Sequence, residues 1–493
     1  METSISDQLH ARLVAVLGGD SNRVLVEQGP LEPYGRDFSY VEGKAPPRTV
    51  AFPKTAAEIS QLLAVATSFG VPVTPRGAGL GLGTTMSVEF GIVVDCSLMD
   101  RIVSIDKETE TVVVEPGVTF KTLSRVLASK GFAVSVPDAP PTASVLANHL
   151  NFGAGGYVTR HGLGPDLVVG LEVVLPDGSI VRTGTGMAMG VEFFGRYAAS
   201  PIPDLTGLFL GSLGTLGVVT QLAIRIFPRP ATVAHRKFGF ADMAMASHAV
   251  QAVVRRQLAD QVTVYSWFFL AEATARLADR IDGKPLDEAS MRSLRDEVRH
   301  LPEVYAFFSI HGDQRGPQER LVELHELLTQ DFEGQAMDMS ADETAKCNHI
   351  AMGEPHEFSK RALLGRKGRY QGAFGNYSTY APMSAWSALY EAWGRIGAQF
   401  GHPVTIYAKL MPRGRFSIFG FFLSYYDQDD PVDRKRIADL CRALDAATCR
   451  LGGIPAISMP GQLSQMSAYP LYLTIKRALD PHNIMRPTLA KPA

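Results

Sequence analysis

The chain has 493 residues, 46% hydrophobic and 20% charged, with a net charge of −2. That length divides among two or three cores, and the charge balance gives no electrostatic case for nucleic acid or an anionic membrane surface. No apolar run reaches the length of a membrane-spanning helix, and Cys96, Cys347, Cys441 and Cys449 lie at no metal or redox spacing. The opening METSISDQLHARLVAVLGG lacks a basic region and a small-residue cleavage site, so an amphipathic helix of a cytoplasmic protein is expected rather than a signal peptide.

Strand and helix signals alternate over residues 45–230. TVAFP predicts a strand and TAAEISQLLAVATSFG a helix, with Thr55 and Glu58 at capping-box spacing and Gly70 as its stop. VPVTP and GIVVDCS predict strands on either side of a glycine-rich stretch. TETVVVEPG predicts a strand, TFKTLSRVLASKG a helix, and LVVGLEVVLPDGSIVRTG a hairpin turning at Pro176-Asp177-Gly178. LGVVTQLAIRIFPRP closes the region at Pro228 and Pro230. Residues 231–440 change character: TVYSWFFL, EVYAFFSIHG, VTIYAKLM and FSIFGFFLSYY predict long strands, spaced by helices such as PQERLVELHELLTQDF. Such a pattern suits a large sheet covered on one face. Two helical stretches end the chain.

The glycine-rich stretch is TPRGAGLGLGTT, Thr74 to Thr85, with glycines at 77, 79, 81 and 83. It is not a P-loop, which needs a lysine after the glycines. Nor is it a dinucleotide fingerprint, because the sixth position from Gly77, Gly79 or Gly81 is Leu82, Thr84 or Met86, and a strand follows instead of a helix. A strand–glycine loop–strand can still form an anion nest from successive backbone amides.

The capping-box helix followed by VPVTPRGAGLGLG, IVVD and VEPGVTFKTL resembles the FAD-binding domain of the vanillyl-alcohol oxidase superfamily of flavoproteins, of PCMH type. Val136–Gly156, VPDAPPTASVLANHLNFGAGG, is similar to that family's second flavin-contacting segment, and Gly207–Pro228 to its third, around GTLGVVT. KRALDPHNIMRP resembles its closing helix. The resemblance implies FAD as cofactor, its diphosphate wrapped by Pro75, Arg76, Gly77, Ala78, Gly79, Leu80, Gly81 and Leu82. It further implies contacts from Pro137, Asp138, Ser144, Val145, Asn148, Gly153 and Gly155, and from Gly217, Val218 and Val219. No histidine or cysteine stands in the loop for a covalent flavin link there, so non-covalent FAD is expected; a link through a Tyr or His of the second domain stays open.

Departures from the family narrow the substrate. The loop tyrosine of the branch acting on 4-hydroxybenzyl compounds falls at Leu82, and its late Tyr-Arg pair near Ala456 and Ile457. An apolar wall does not hold a phenolate. The metal-assisted hydroxy-acid branch carries paired histidines and an H-G-x-G; here His402 stands alone, and His311 in HGDQ is expected in a surface turn, so no metal site is expected. For catalysis the resemblance puts Asp138 near the reactive end of the flavin. Tyr407 and Lys409 share one face of a strand, with Arg413 in the turn beyond; Tyr407 and Arg413 join Asp138 as catalytic candidates. Tyr370, Tyr377 and Tyr380 form an aromatic loop, and His161 is expected to be structural.

The expected architecture is α+β: a PCMH-type FAD-binding domain over 1–230 (core about 45–230), a substrate-binding cap domain with a large antiparallel sheet covered by helices over 231–440, and C-terminal helices over 441–493 returning to the FAD domain. The expected activity is FAD-dependent two-electron oxidation of an alcohol, amine or related small organic substrate, with a bulky, largely apolar molecule favoured over a simple 4-hydroxybenzyl alcohol. The electron acceptor is oxygen or a redox partner, no nucleic-acid partner or membrane span is expected, and a homodimer is one allowed assembly. Two alternatives stand beside this: an FAD-linked 2-hydroxy-acid dehydrogenase of the D-lactate or glycolate type, and a non-catalytic protein on the same scaffold.

Overall fold

The computed structural model describes residues 5–35, 46–81, 90–190, 194–195, 203–267, 288–312, 317–356, 373–375, 378–401, 406–412, 417–420, 424–426, 429–455 and 469–488. The predicted alternation is present in the first part of the chain. Strands β1 (Val24–Leu25), β2 (Thr49–Ala51), β3 (Val73–Arg76) and β4 (Ile92–Asp95) form a sheet in the order β1-β2-β4-β3. The helix Ala56–Phe69 covers it, burying Ile59, Leu62, Leu63 and Ala66. Thr55 caps this helix by accepting from the Glu58 amide, and Gly70 ends it in the left-handed conformation. The reciprocal half of the expected capping box is missing: the Glu58 carboxylate instead accepts from Arg23 and from the Lys54 amide.

A second sheet contains β5 (Ile102–Asp106), β6 (Thr111–Val114), β8 (Val168–Val174), β9 (Ile180–Arg182) and β10 (Val218–Arg225), in the order β5-β6-β10-β8-β9. The predicted hairpin is β8–β9. A short pair, β7 (Phe132–Ala133) with β11 (Phe227–Pro228), closes its end.

The second half is built on eight strands. They are β12 (Thr232–Phe240), β13 (Gln261–Ser266), β14 (Val304–Gly312), β15 (Gln335–Met337), β17 (Ser378–Ala381), β18 (Tyr407–Leu410), β19 (Ser417–Gly420) and β21 (Ile454–Pro455). Their order is β15-β12-β14-β13-β18-β19-β17-β21, with every neighbouring pair antiparallel. β16 (Ala373–Gly375) and β20 (Ser424–Tyr426) form a separate ribbon.

Alternation along these strands makes the sheet two-faced. Phe238, Phe240, Val262, Val264, Val304, Ala306, Phe308, Ile310, Ala408 and Leu410 point into one core, under the helices Met243–Arg255, Trp386–Gln399 and Pro431–Arg450. The odd-numbered residues face the other way, toward the first domain, and many are polar: His235, Lys237, Gln261, Thr263, Tyr265, Ser309, Tyr407 and Lys409. That face builds the candidate site.

Two expectations are corrected. The boundary at 441 falls inside the helix Pro431–Arg450, whose Ile437, Leu440, Cys441 and Leu444 belong to the sheet's core. The chain rejoins the first domain later, through the helix Tyr469–Leu479 and Ile484–Met485, where Val73 donates to the Ile484 carbonyl and Arg486 to the Val73 carbonyl. His311 is not in a surface turn. It lies in β14, packed edge-on to Tyr157, and its amide donates to Asp260.

Candidate active site

Three glycine-bearing segments converge at the C-terminal end of β3. Gly79 has φ +71°, a conformation that glycine adopts without strain. A Cβ at Gly77 would stand 3.3 Å from the Ser144 Cβ in the second segment, and one at Gly214 would stand 2.6 Å from the Pro75 ring, so the third segment meets the first directly. Leu80 explains the apolar residues among the glycines: it packs against the second sheet's core and fixes the loop. Ser144 caps the helix Val145–Leu150 and donates to the Pro116 carbonyl at 2.6 Å. Asn148 closes the turn at Gly153, whose amide donates to the Asn148 carbonyl at 2.8 Å. Val218 and Val219 lie in β10, the first packing in the core under the first sheet and the second against the core of the second sheet. Leu82 lies outside the described residues.

These residues fit FAD. Glycines at 77, 79 and 81 leave backbone amides of the loop uncovered at alternate positions, a donor set suited to a diphosphate. Arg76 adds a cation: its guanidinium is so close to the loop that a Cβ at Gly79 would lie 2.1 Å from it. The same guanidinium stacks on Tyr34 at 4.7 Å, and the Tyr34 hydroxyl donates to Asp95 at 3.2 Å. Burial and the Asp95 charge push that hydroxyl up to about 12.

The second segment also carries Asp138 to the polar face of the sheet. Pro137 bridges to Gly155, and the Gly156 amide donates to the Val136 carbonyl at 2.8 Å. Tyr407, at the start of β18, donates its hydroxyl to Asp138 Oδ2 at 2.7 Å. Lys409 Nζ lies 3.6 Å from the same oxygen and donates to the Ala154 carbonyl at 3.0 Å. Lys346 Nζ lies 3.7 Å from Oδ1. Thus the structure brings together Asp138, Tyr407 and Lys409, which are far apart in sequence. Arg413 lies outside the described residues, as do Tyr370, Tyr377, His402, Ala456 and Ile457.

Lys346 was not anticipated. It comes from the helix Ala341–Ala351, which packs over β12 and β14. A sequence signal existed: Ser340 and Glu343 are spaced as a capping box, and both halves form. The helix fits closely because residue 156 is glycine; a Cβ there would stand 2.2 Å from Ile350. Lys346 stands over the Tyr265 ring at 5.7 Å, Tyr265 stacks with Tyr305 at 5.5 Å, and Tyr265 meets Tyr407 at 5.2 Å. Lys237 pairs with Glu343 at 2.8 Å. A cavity of about 50 Å³ lies among Asp138, Gly156, Gln261, Thr263, Tyr265, Phe307, Ser309, Glu343, Lys346, Cys347, Ile350 and Lys409.

The electrostatics define what each group can do. Burial works to raise the Asp138 carboxyl, but Lys346, Lys409 and the Tyr407 hydrogen bond outweigh it and hold the group well below the usual carboxylate range. Burial and the Asp138 charge raise Tyr407 well above an ordinary phenol. Burial raises Tyr265 in the same direction and pushes the Cys347 thiol up to about 12. Burial lowers Lys409, against the pull of Asp138. Around neutral pH, Asp138 is therefore a fixed anion and a weak base, and Tyr407 a fixed donor. His161 stacks on Phe227 at 4.0 Å and is pushed down to about 4 mainly by burial.

Residues 47–184 match the FAD binding domain family. The glycolate oxidase subunit GlcD of Bacillus subtilis is 37% identical over 188 residues, 38% of each chain. A mitochondrial D-lactate dehydrogenase (cytochrome) of Arabidopsis thaliana is 31% identical over 251 residues, 49% of this chain and 41% of that one. The chain thus spans less than half the length of these two relatives. Among solved structures, p-cresol methylhydroxylase with substrate bound superposes with a TM-score of 0.86 at 19% identity, over 99% of this chain and 97% of that one. The likeness in sequence is confined to part of the chain, whereas the likeness in fold spans nearly all of it.

Proposed function

This chain is a flavoprotein with an FAD-binding domain and the PCMH-type fold, and from that premise we propose that it oxidises a small, polar, hydroxyl-bearing substrate that carries a negative charge. The observation that carries the reading is the composition of the sheet's polar face around the cavity. Lys346 and Lys409 line the cavity with Asp138 and Glu343, and Lys237 pairs with Glu343 just beyond the lining, so the cluster as a whole holds three cations to two carboxylates. A buried excess cation favours an anionic partner. Phe307 and Ile350 share the lining with charged, amide and hydroxyl side chains, and the two lysines among these favour an acidic substrate over a wholly apolar one. The hydroxy-acid alternative suits it better.

FAD supplies the two-electron oxidant. The chain's own residues bind and orient. Gly77, Gly79, Arg76 and Ser144 would hold the cofactor's diphosphate. Asp138 fixes the Tyr407 hydroxyl and the Lys409 ammonium in place, and Lys346 presents a cation from the opposite wall. The tyrosine pair Tyr265 and Tyr407 limits water at that wall, since both are under a tenth exposed.

The test is an anaerobic mixing of the purified holoprotein with D-lactate, glycolate and 4-hydroxybenzyl alcohol, following the flavin band, with oxalate as a non-oxidisable anion. Bleaching by a hydroxy acid and a band shift with oxalate are expected. Bleaching by 4-hydroxybenzyl alcohol alone, with no response to any carboxylate, overturns the reading.

A further inference from the structure

Oxidising an alcohol releases the hydroxyl proton in addition to the two electrons and carbon-bound hydrogen that FAD takes up. The charged groups of the central cluster are already engaged: Asp138 is held strongly ionised, Glu343 is paired with Lys237 at 2.8 Å, and Tyr407 and Lys409 carry protons that they donate to Asp138 and to the Ala154 carbonyl. A hydrogen-bonded chain leaves the same cavity by another wall. Ser309, 4% exposed, lines the cavity from β14. Its hydroxyl lies 2.9 Å from Nδ1 of His235, its register partner on β12. His235 Nε2 lies 2.8 Å from the Asn348 side-chain oxygen, and Asn348 is exposed.

The directions are consistent from end to end. An amide oxygen only accepts, so Nε2 carries the imidazole proton and Nδ1 presents its lone pair to the Ser309 hydroxyl. Ser309 then donates outward and keeps its own lone pairs for a group in the cavity. Burial keeps the imidazole below the usual histidine range, against the Asn348 hydrogen bond, so at neutral pH it stands ready to accept.

Resting on the reading that a hydroxyl is oxidised in this cavity, we propose that Ser309, His235 and Asn348 form the path by which the substrate's proton reaches solvent. The substrate O–H proton passes to Ser309 Oγ as the Ser309 proton passes to His235 Nδ1. The imidazolium then releases its Nε2 proton to water at Asn348, a flip of the ring returns its N–H to the Asn348 oxygen and its lone pair to Ser309 before the next turnover, and no further oxidant or reductant is required. Ser309 touches the substrate; His235 acts through it, and Asn348 sets the tautomer.

Two measurements test the path. In anaerobic stopped flow with D-lactate and glycolate, His235→Gln slows bleaching about 100-fold with KM little changed. Added imidazole restores the rate in His235→Gly but not in the His235→Gly, Ser309→Ala double variant. A native rate in His235→Gln, or rescue that ignores Ser309, overturns the proposal. The second needs no substrate: in histidine-¹⁵N NMR of the holoprotein, His235 is the Nε2–H tautomer, and Ser309→Ala moves its Nδ1 resonance. An Nδ1–H tautomer, or an Nδ1 resonance unmoved by Ser309→Ala, overturns the path even where neither hydroxy acid bleaches the flavin. Failure to bleach counts against the proposed reaction alone, and the NMR result then decides the path.

Discussion

Replacing Asp138 with Asn removes one charge and keeps the shape. The Tyr407 hydrogen bond to a carboxylate, 2.7 Å long, becomes a bond to a neutral amide. A charge-assisted bond is worth about 1.5–3 kcal/mol and a neutral one about 1 kcal/mol. Lys409 and Lys346, at 3.6 and 3.7 Å, lose their counter-ion as well. Each pair is worth about 4 kcal/mol gross at an effective dielectric of ~20, but the Asp138 side chain is 31% exposed and water screens much of that. A net loss of positioning near 2–3 kcal/mol remains, which slows flavin reduction about 100-fold. The same change raises the excess positive charge of the cavity, so oxalate binds more tightly. Stopped-flow bleaching and an oxalate titration of the flavin band separate the two effects. Native-rate bleaching, or weaker oxalate binding, refutes the reasoning. The pH dependence has a definite sign. A carboxyl held below its unfolded value of about 3.9 contributes stability above that pH and loses it as the pH falls toward the folded value; Asp138→Asn removes that dependence from acid-unfolding curves.

Gly79→Val puts a β-branched residue at φ +71° with its Cβ 2.1 Å from the Arg76 guanidinium, so the purified variant should lose FAD, which full flavin absorbance would contradict. Asp480, 1% exposed, pairs with Lys476 and accepts from the Ile484 and Met485 amides at 3.0 and 2.8 Å. Asp480→Ala leaves a buried ammonium without its carboxylate, costs about 3–5 kcal/mol in urea unfolding and loosens β3 beside the glycine loop; unchanged stability would show that the clasp is not needed. With no nucleophile between Thr74 and Thr85, acid precipitation should leave the flavin in the supernatant, and colour retained in the pellet would point to a link from the cap.

Much of the FAD-binding half was legible in the sequence because its signals are local. The cap Thr55, the stop Gly70, the turn at Asp177-Gly178 and the spaced glycines at 77 and 79 each impose their geometry on neighbours a few residues away. The period-two run YAK likewise announced that Tyr407 and Lys409 share a face. What lies opposite that face was not legible. Asp138 meets Tyr407 across 269 residues of chain, and Lys237 meets Glu343 across 106. His311 read as a turn because HGDQ is polar, yet packing against Tyr157 holds it in a strand. Lys346 and His235 gain their roles from a helix docked on a glycine and from strand register, neither of which has a local signature. Local propensity and turn chemistry determined the elements; long-range packing alone decided which charges share a cavity, because burial and proximity, which set those charges' behaviour, exist only once the sheet and the second glycine segment have met.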